Sequence, residues 1–212
     1  DMNSEVILFA HGGTANISGE IKADGGFVET SGKELGIKNG TTIKAKTWLI
    51  DPVNVTIDSS ADAIGGATVG ASVIETALST GGGNTNVIIT ADNDITVNEA
   101  LAWSANKLTL SAGNNIAINA DMKATGTGSL AFEYGQGTAN GSTSRYTVAE
   151  GIDIKIPSAN AFTLKKGSAG AVENLVFDNG FLRFGDGSEA SINGMGSLLQ
   201  PWYFDNVTSG RN

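Results

Sequence analysis

Few side chains in this sequence are spaced for chemistry. Asp92-Asn93-Asp94 could turn several oxygens toward a calcium ion, and so could Asp58 with Asp62. Calcium-binding β-rolls repeat a Gly-Gly-x-Gly-x-Asp nonapeptide, however, and that repeat is absent. An aspartate in a turn before a strand is expected for its backbone hydrogen bonds alone, so neither group is taken as a metal site. His11, the one histidine, sits in Ala10-His11-Gly12-Gly13. It reads as a surface turn residue, because no Ser or Cys nucleophile motif gives it work. Of the 13 Lys and Arg, only Lys165-Lys166 are adjacent, and Arg145, Arg183 and Arg211 stand apart from any recognisable acidic motif. The carboxylate pair, or calcium with a basic residue, that a polysaccharide-cleaving enzyme needs is therefore not visible. Asn-x-Ser/Thr begins at Asn16, Asn39, Asn54, Asn140 and Asn206, little more than chance supplies with 19 Asn and 38 Ser plus Thr. No catalytic, cofactor-binding or metal-binding residue is assigned, and the residues of any binding surface stay unknown.

Composition points to architecture instead. The 212 residues are 40% hydrophobic, enough to bury a core, and a single domain of ordinary size is expected. A formal net charge of −9 with no basic cluster argues against nucleic acid or an anionic membrane as partner. The longest apolar run, Val6 to Ala10, is far short of a membrane helix, and no export signal opens the chain as given. With no Cys, disulfides and thiol chemistry are excluded. Gly, Asn and Asp together number 60, which implies many short strands joined by turns.

Those strands recur. Val87 to Leu101 overlays Leu108 to Met122 without a gap at an offset of 21. Val87 falls on Leu108, Ile89 on Leu110, Ile95 on Ile116, Val97 on Ile118 and Leu101 on Met122, while Asn93 meets Asn114 and Asn98 meets Asn119. More loosely, Phe27-Val28 precedes Trp48-Leu49-Ile50 by 21, and Leu130 to Phe132, Ile152 to Ile154 and Leu175 to Phe177 follow at 22 to 23. A fixed period of short alternating strands predicts a solenoid whose coils stack like residues on like. The expected fold is thus all-β: a parallel β-helix of about 21 residues per coil, with apolar stacks inside and an Asn98–Asn119 amide ladder at a turn. A β-sandwich has similarly short strands but gives no reason for recurrence in register.

One stretch, 58 to 86, departs from the period and reads as an insertion. Apolar residues at 69, 73, 74, 77 and 78 form a helical stripe ended by Ser79-Thr80-Gly81-Gly82-Gly83, predicting a short amphipathic helix over 69–80 against the flank of the solenoid. A lid over a ligand site is the sharper alternative. Near the end, Trp202-Tyr203-Phe204 cannot all be buried on one side of a strand. Uncapped solenoid ends expose unpaired edges and invite end-to-end association.

Several motifs, in order, resemble filamentous-haemagglutinin-like exoproteins of two-partner secretion systems. They are Gly25-Gly-Phe-Val-Glu-Thr-Ser-Gly-Lys33, Trp48-Leu-Ile-Asp-Pro-Val-Asn-Val-Thr-Ile-Asp58, Ser72-Val-Ile-Glu-Thr-Ala-Leu78 and Asn86-Val-Ile-Ile-Thr90. Leu108 to Asn119, Leu182-Arg-Phe-Gly-Asp-Gly187 and Ala190-Ser-Ile-Asn193 are similar to the high-molecular-weight adhesin and haem–haemopexin branch. The resemblance spans essentially the whole chain, 1–212. It implies a right-handed parallel β-helix from a Gram-negative surface or secreted protein, exported through an outer-membrane transporter partner. The family's secretion domain with its Asn-Pro-Asn motifs is not found, so the piece would follow that domain. The expected function is a structural or adhesive, non-catalytic rod facing a host-cell or bacterial surface glycan or protein. Alternatives are a polysaccharide-processing enzyme on the same fold, or a segment that binds a host protein such as haemopexin.

Overall fold

The structure, a computed structural model, describes residues 4–59, 67–137, 144–167, 176–177 and 181–184. Short strands with alternating burial follow the alternating sequence, and every strand pairing is parallel. The chain passes repeatedly over the faces of one curled stack, giving an all-β fold of parallel β-helix type with a single α-helix among the described residues.

The first face stacks β1 (Glu5–Ile17), β2 (Glu20–Ile37), β3 (Thr42–Ile50), β6 (Asn86–Ala91), β9 (Lys107–Ala112), β12 (Ser129–Tyr134) and β15 (Phe162–Lys166). The second begins with the far halves of β1 and β2. It continues through β5 (Ala67–Gly70), β4 (Val55–Asp58), β7 (Ile95–Val97), β10 (Ile116–Ile118), β13 (Tyr146–Val148) and β16 (Val176–Phe177). The third holds β8 (Leu101–Trp103), β11 (Met122–Ala124), β14 (Asp153–Ile156) and β17 (Phe181–Phe184). On a parallel ladder each inward side chain lies over its partner, so the core is a set of apolar columns. Val87 lies on Leu108 and Ile89 on Leu110; Ile95 lies on Ile116, Val97 on Ile118 and Leu101 on Met122, all essentially inaccessible to solvent. The turn follows too: Asn119 Nδ2 donates to Asn98 Oδ1 at 2.9 Å, and Asn114 N to the Asn93 carbonyl at 2.7 Å.

Elsewhere the period is not constant. Val28 lies on Trp48, an offset of 20 rather than 21, and the Trp48 indole N–H donates to Thr30 Oγ1 at 3.0 Å in the core. Leu130 does lie on Leu108 at 22, but its next neighbour is Phe162, not Ile152. Ile154 belongs to the third face opposite Met122, and Val176-Phe177 lie on Thr147-Val148. The pass after β12 is longer, and matching by a fixed period assigned its strands to the wrong face.

The segment expected as a flanking insertion is woven into the stack. Val69 and Gly70 complete β5, which lies between β2 and β4, so the chain goes forward to β4 and then back. The helix, α1, spans Ala71–Leu78 and touches both β3 and β8. The stripe was legible: Val73, Ile74, Ala77 and Leu78, with Ala71, are its buried residues. The first half of β3, Thr42–Ala45, pairs with Glu20–Ala23 of β2 apart from the second half that continues the first face, and α1 lies between that first half and β8, where a strand would otherwise pair.

Candidate functional site

Replacing a strand by a helix leaves backbone groups on both flanking strands without a ladder partner, and buried groups of that kind must be satisfied another way. On the β3 side Thr85 does so. Its hydroxyl accepts from Ala45 N at 3.0 Å and is 2.9 Å from the Ala45 and Gly83 carbonyl oxygens, with no solvent exposure. On the other side Glu75, projecting from α1, accepts from Ala102 N of β8 at 2.7 Å. The helix's last carbonyls are closed one by one, as helix ends require. Glu75 O accepts from Ser79 N, Thr76 O from Gly83 N, Ala77 O from Thr85 N and Leu78 O from Asn106 Nδ2. Gly83 is needed where it stands, since a Cβ there would fall on the carbonyl oxygens of Ile43 and Ala77.

A groove of about 640 Å3 lies between α1 and the face formed by β8 and β11. Glu75 and Thr76 of α1 and Ser79 just past its end line it, with Ala102, Trp103 and Ser104 of the β8 pass and Lys123 and Thr125 of the β11 pass. A smaller hollow of about 200 Å3 shares Glu75, Ala102 and Lys123 and runs on to Asp121, Asp153 and Lys155.

The cations that look scattered in sequence fall into columns here. Lys22 lies opposite Lys44 on the far side of α1; beyond the helix Lys123 lies opposite Lys155, and Arg183 occupies the next register position. Lys22 pairs with Asp24, Lys44 with Glu20 and Lys155 with Asp153 at 3.1 to 3.3 Å, whereas Lys123 makes no ion pair among the described residues. Sequence reading missed this column because its members lie 32 residues apart at Lys123 and Lys155, off the 21-residue period.

The acidic motifs weighed for calcium are otherwise engaged. One oxygen of Asp94 accepts from Asn114 Nδ2, Asn115 N and Asn115 Nδ2 at 2.9 to 3.0 Å, closing a turn ladder. Asp58 Oδ1 accepts from Ser59 N and its hydroxyl, and Asp62 lies outside the described residues. Among the described residues no group of three or more His, Asp or Glu is placed to hold a metal ion. One carboxylate cluster does form that the sequence did not suggest. Partial burial raises the Asp51 pKa above its ordinary value, helped by the charges of Asp92 and Glu29.

His11 is exposed within β1, not in a turn after it, with its ring 5.5 Å from that of Phe9. Lys165 pairs with Glu133 at 3.3 Å. Of the Asn-x-Ser/Thr positions, Asn16 is exposed on β1, Asn39 Nδ2 donates to Ser59 O, and Asn54 Oδ1 accepts from Asp94 N. Asn140, Asn206, Arg211, Trp202-Tyr203-Phe204 and the motif at 190–193 lie outside the described residues. No described helix is long and apolar enough to cross a membrane.

Fold and groove together define a parallel β-solenoid with one helical pass. The chain matches no protein-family model, no curated protein and no solved structure.

Proposed function

We propose that the chain is a rod segment of a large filamentous-haemagglutinin-like exoprotein, structural and adhesive and without catalytic activity. In this reading it is a right-handed parallel β-helix whose basic coil is about 21 residues. It is exported by an outer-membrane transporter partner through a secretion domain elsewhere in the parent protein, and it acts at the bacterial surface or outside the cell. The observation that carries the reading is the unbroken column of apolar residues, from Val28 on Trp48 through Val87 on Leu108 to Leu130 on Phe162, which builds the stack from nearest-neighbour pairing. The ordered motifs quoted above supply the family.

The test is binding of the labelled chain to epithelial cells, against a surface-scrambled solenoid. Saturable binding supports an adhesive segment; none reduces the segment to a spacer. A second reading, the polysaccharide-processing enzyme, draws on the Asp51, Asp92 and Glu29 cluster, since a carboxylate of raised pKa can serve as an acid. Release of sugar fragments that disappears in Asp51→Asn would overturn the non-catalytic assignment.

A further inference from the structure

We propose that β1 is a pairing edge for a second copy of this chain: two copies join by antiparallel pairing of their first strands about a two-fold axis through Leu8.

β1 lies at one end of the stack, and β2 is its only strand partner among the described residues. One bond fixes where its remaining backbone groups point. Phe27 N donates to Ser4 O at 2.8 Å, and Phe27 is the register partner of Glu5. In a parallel ladder the residues flanking a register partner make its bonds, so Ser4, Val6, Leu8 and Ala10 turn their N–H and C=O groups toward β2. Glu5, Ile7 and Phe9 turn theirs the other way, along an edge with no strand beside it. The register is unbroken from Glu5 to Ala10 and shifts only between Ala10 and Thr14, so this edge is regular over its first half.

Edge strands are usually blunted by lysine, by other charges or by proline. β15, the end strand of the same face on the opposite side among the described residues, follows that rule with Lys165 and Lys166. β1 does not. From Val6 to Ala10 it holds neither charge nor proline, and its outward side chains Ile7 and Phe9 are 54% and 59% exposed. On the inward side Val6 and Leu8 pack on the core yet are only partly buried. Both sides of the strand lack the cover that one more strand supplies.

The strand complements itself in one register. With Leu8 on the axis, Ile7 falls opposite Phe9 of the second copy, Val6 opposite Ala10 and Glu5 opposite His11. Ile7 and Phe9 then form a hydrogen-bonded pair that exchanges two backbone bonds. Their side chains make an aromatic and β-branched pair, a favourable cross-strand contact. An imidazole N–H of His11 donates to the Glu5 carboxylate. Val6, Leu8 and Ala10 carry the apolar core across the junction. An axis at Ile7 would set Glu5 against Phe9, and one at Phe9 would set His11 against Ile7, each leaving a polar group facing an apolar one. A two-fold contact of this kind closes at the dimer.

The chain has no cysteine, so introduced thiols read the register directly. Leu8→Cys under brief oxidation should give a disulfide dimer, because facing residues at a non-hydrogen-bonded pair lie about 4.5 Å apart at Cα, within disulfide reach. Val6→Cys and Ala10→Cys should each stay uncross-linked alone and cross-link when mixed. Sedimentation of the unaltered 212-residue chain over about 1 to 100 µM should show monomer and dimer with nothing larger. Glu5→Lys alone and His11→Glu alone should each weaken the dimer by about tenfold, and combining them should restore it, since the opposed charges are exchanged. Circular-dichroism melts check that every variant remains folded; both charge positions are exposed, so the charge series stands if Leu8→Cys fails to fold. A chain monomeric throughout, species larger than a dimer, equal cross-linking of the three single thiol variants, or a double charge variant no tighter than the single ones would each overturn the inference.

Discussion

Thr85→Val tests whether α1 stands in for a strand. Valine keeps the shape of threonine and replaces the hydroxyl by a methyl. Ala45 N, which donates to that hydroxyl at 3.0 Å, would be left buried without an acceptor, and the bond donated toward the Ala45 or Gly83 carbonyl, each at 2.9 Å, would be lost. The stranded donor costs about 1–3 kcal/mol and the lost bond about 0.5–1.5. Burial of the extra methyl offsets about 0.8 kcal/mol. The net is a destabilisation of about 1–4 kcal/mol, centred near 2, or roughly 4–8 °C in Tm for a chain of this size. Thr85→Ser retains the hydroxyl and loses only a buried methyl, at about 1 kcal/mol. Urea unfolding followed by both circular dichroism and tryptophan fluorescence measures the two variants and checks that the probes coincide, since a repeat stack can unfold piecewise. Valine matching wild type, or serine falling further than valine, would refute the assignment of Thr85 as the substitute ladder partner.

Three more outcomes follow from the columns and the charges. Ile95→Ala and Ile116→Ala should each cost about 2–5 kcal/mol in urea unfolding. Because the two residues are in register contact, the double variant should cost measurably less than their sum. Asn119→Ala removes a ladder bond at an exposed turn and should cost only about 0.5–1 kcal/mol by the same assay, since Asn98 then turns to water. Asp51 is a carboxyl whose folded pKa is raised, so the folded state binds its proton more tightly and stability attributable to this group falls as pH rises above its unfolded value near 3.8. Asp51→Asn should therefore be stabilising at pH 7 relative to wild type, with the difference vanishing below that value; thermal melts from pH 3 to 7 decide, and an advantage independent of pH refutes the assigned cause.

The stack was legible in the sequence wherever consecutive passes have equal length. From Val87 to Met122 the two passes align without a gap, so the apolar matches at 21 are also the contacts in space. The same logic failed at Ile152, because a longer pass separates Leu130 from Phe162 and an alternating strand of the third face lay nearer the expected period. Nothing local to Val55-Thr-Ile57 and Ala67-Thr-Val69 says which lies beside β2; both are short, alternating and equally buried, and the reversal is fixed only by the columns on either side. The helical stripe was readable, since its period is local, but its place in the stack was not. The groove was invisible for a like reason: Glu75, Ser104 and Lys123 are brought together only by the packing of α1 beside β8.

That replacement has a cost that bears on function. A three-residue strand in place of α1 would pair directly with β3 and β8, satisfying Ala45 and Ala102 by ordinary ladder bonds. Instead, Thr85, Glu75, Asn106 and a close-packed Gly83 are all committed to closing the backbone around one helix. In a solenoid each pass needs only to match its neighbours, so the helical pass is an expensive way to continue the stack. What it adds over a plain pass is a groove, lined by Glu75 and Thr76 of α1 and by Ser104, Lys123 and Thr125 beyond Ala102 and Trp103. The stack and the groove thus obey different rules. Substitutions in the columns should lower stability, whereas substitutions along the groove's exposed rim should leave it nearly unchanged.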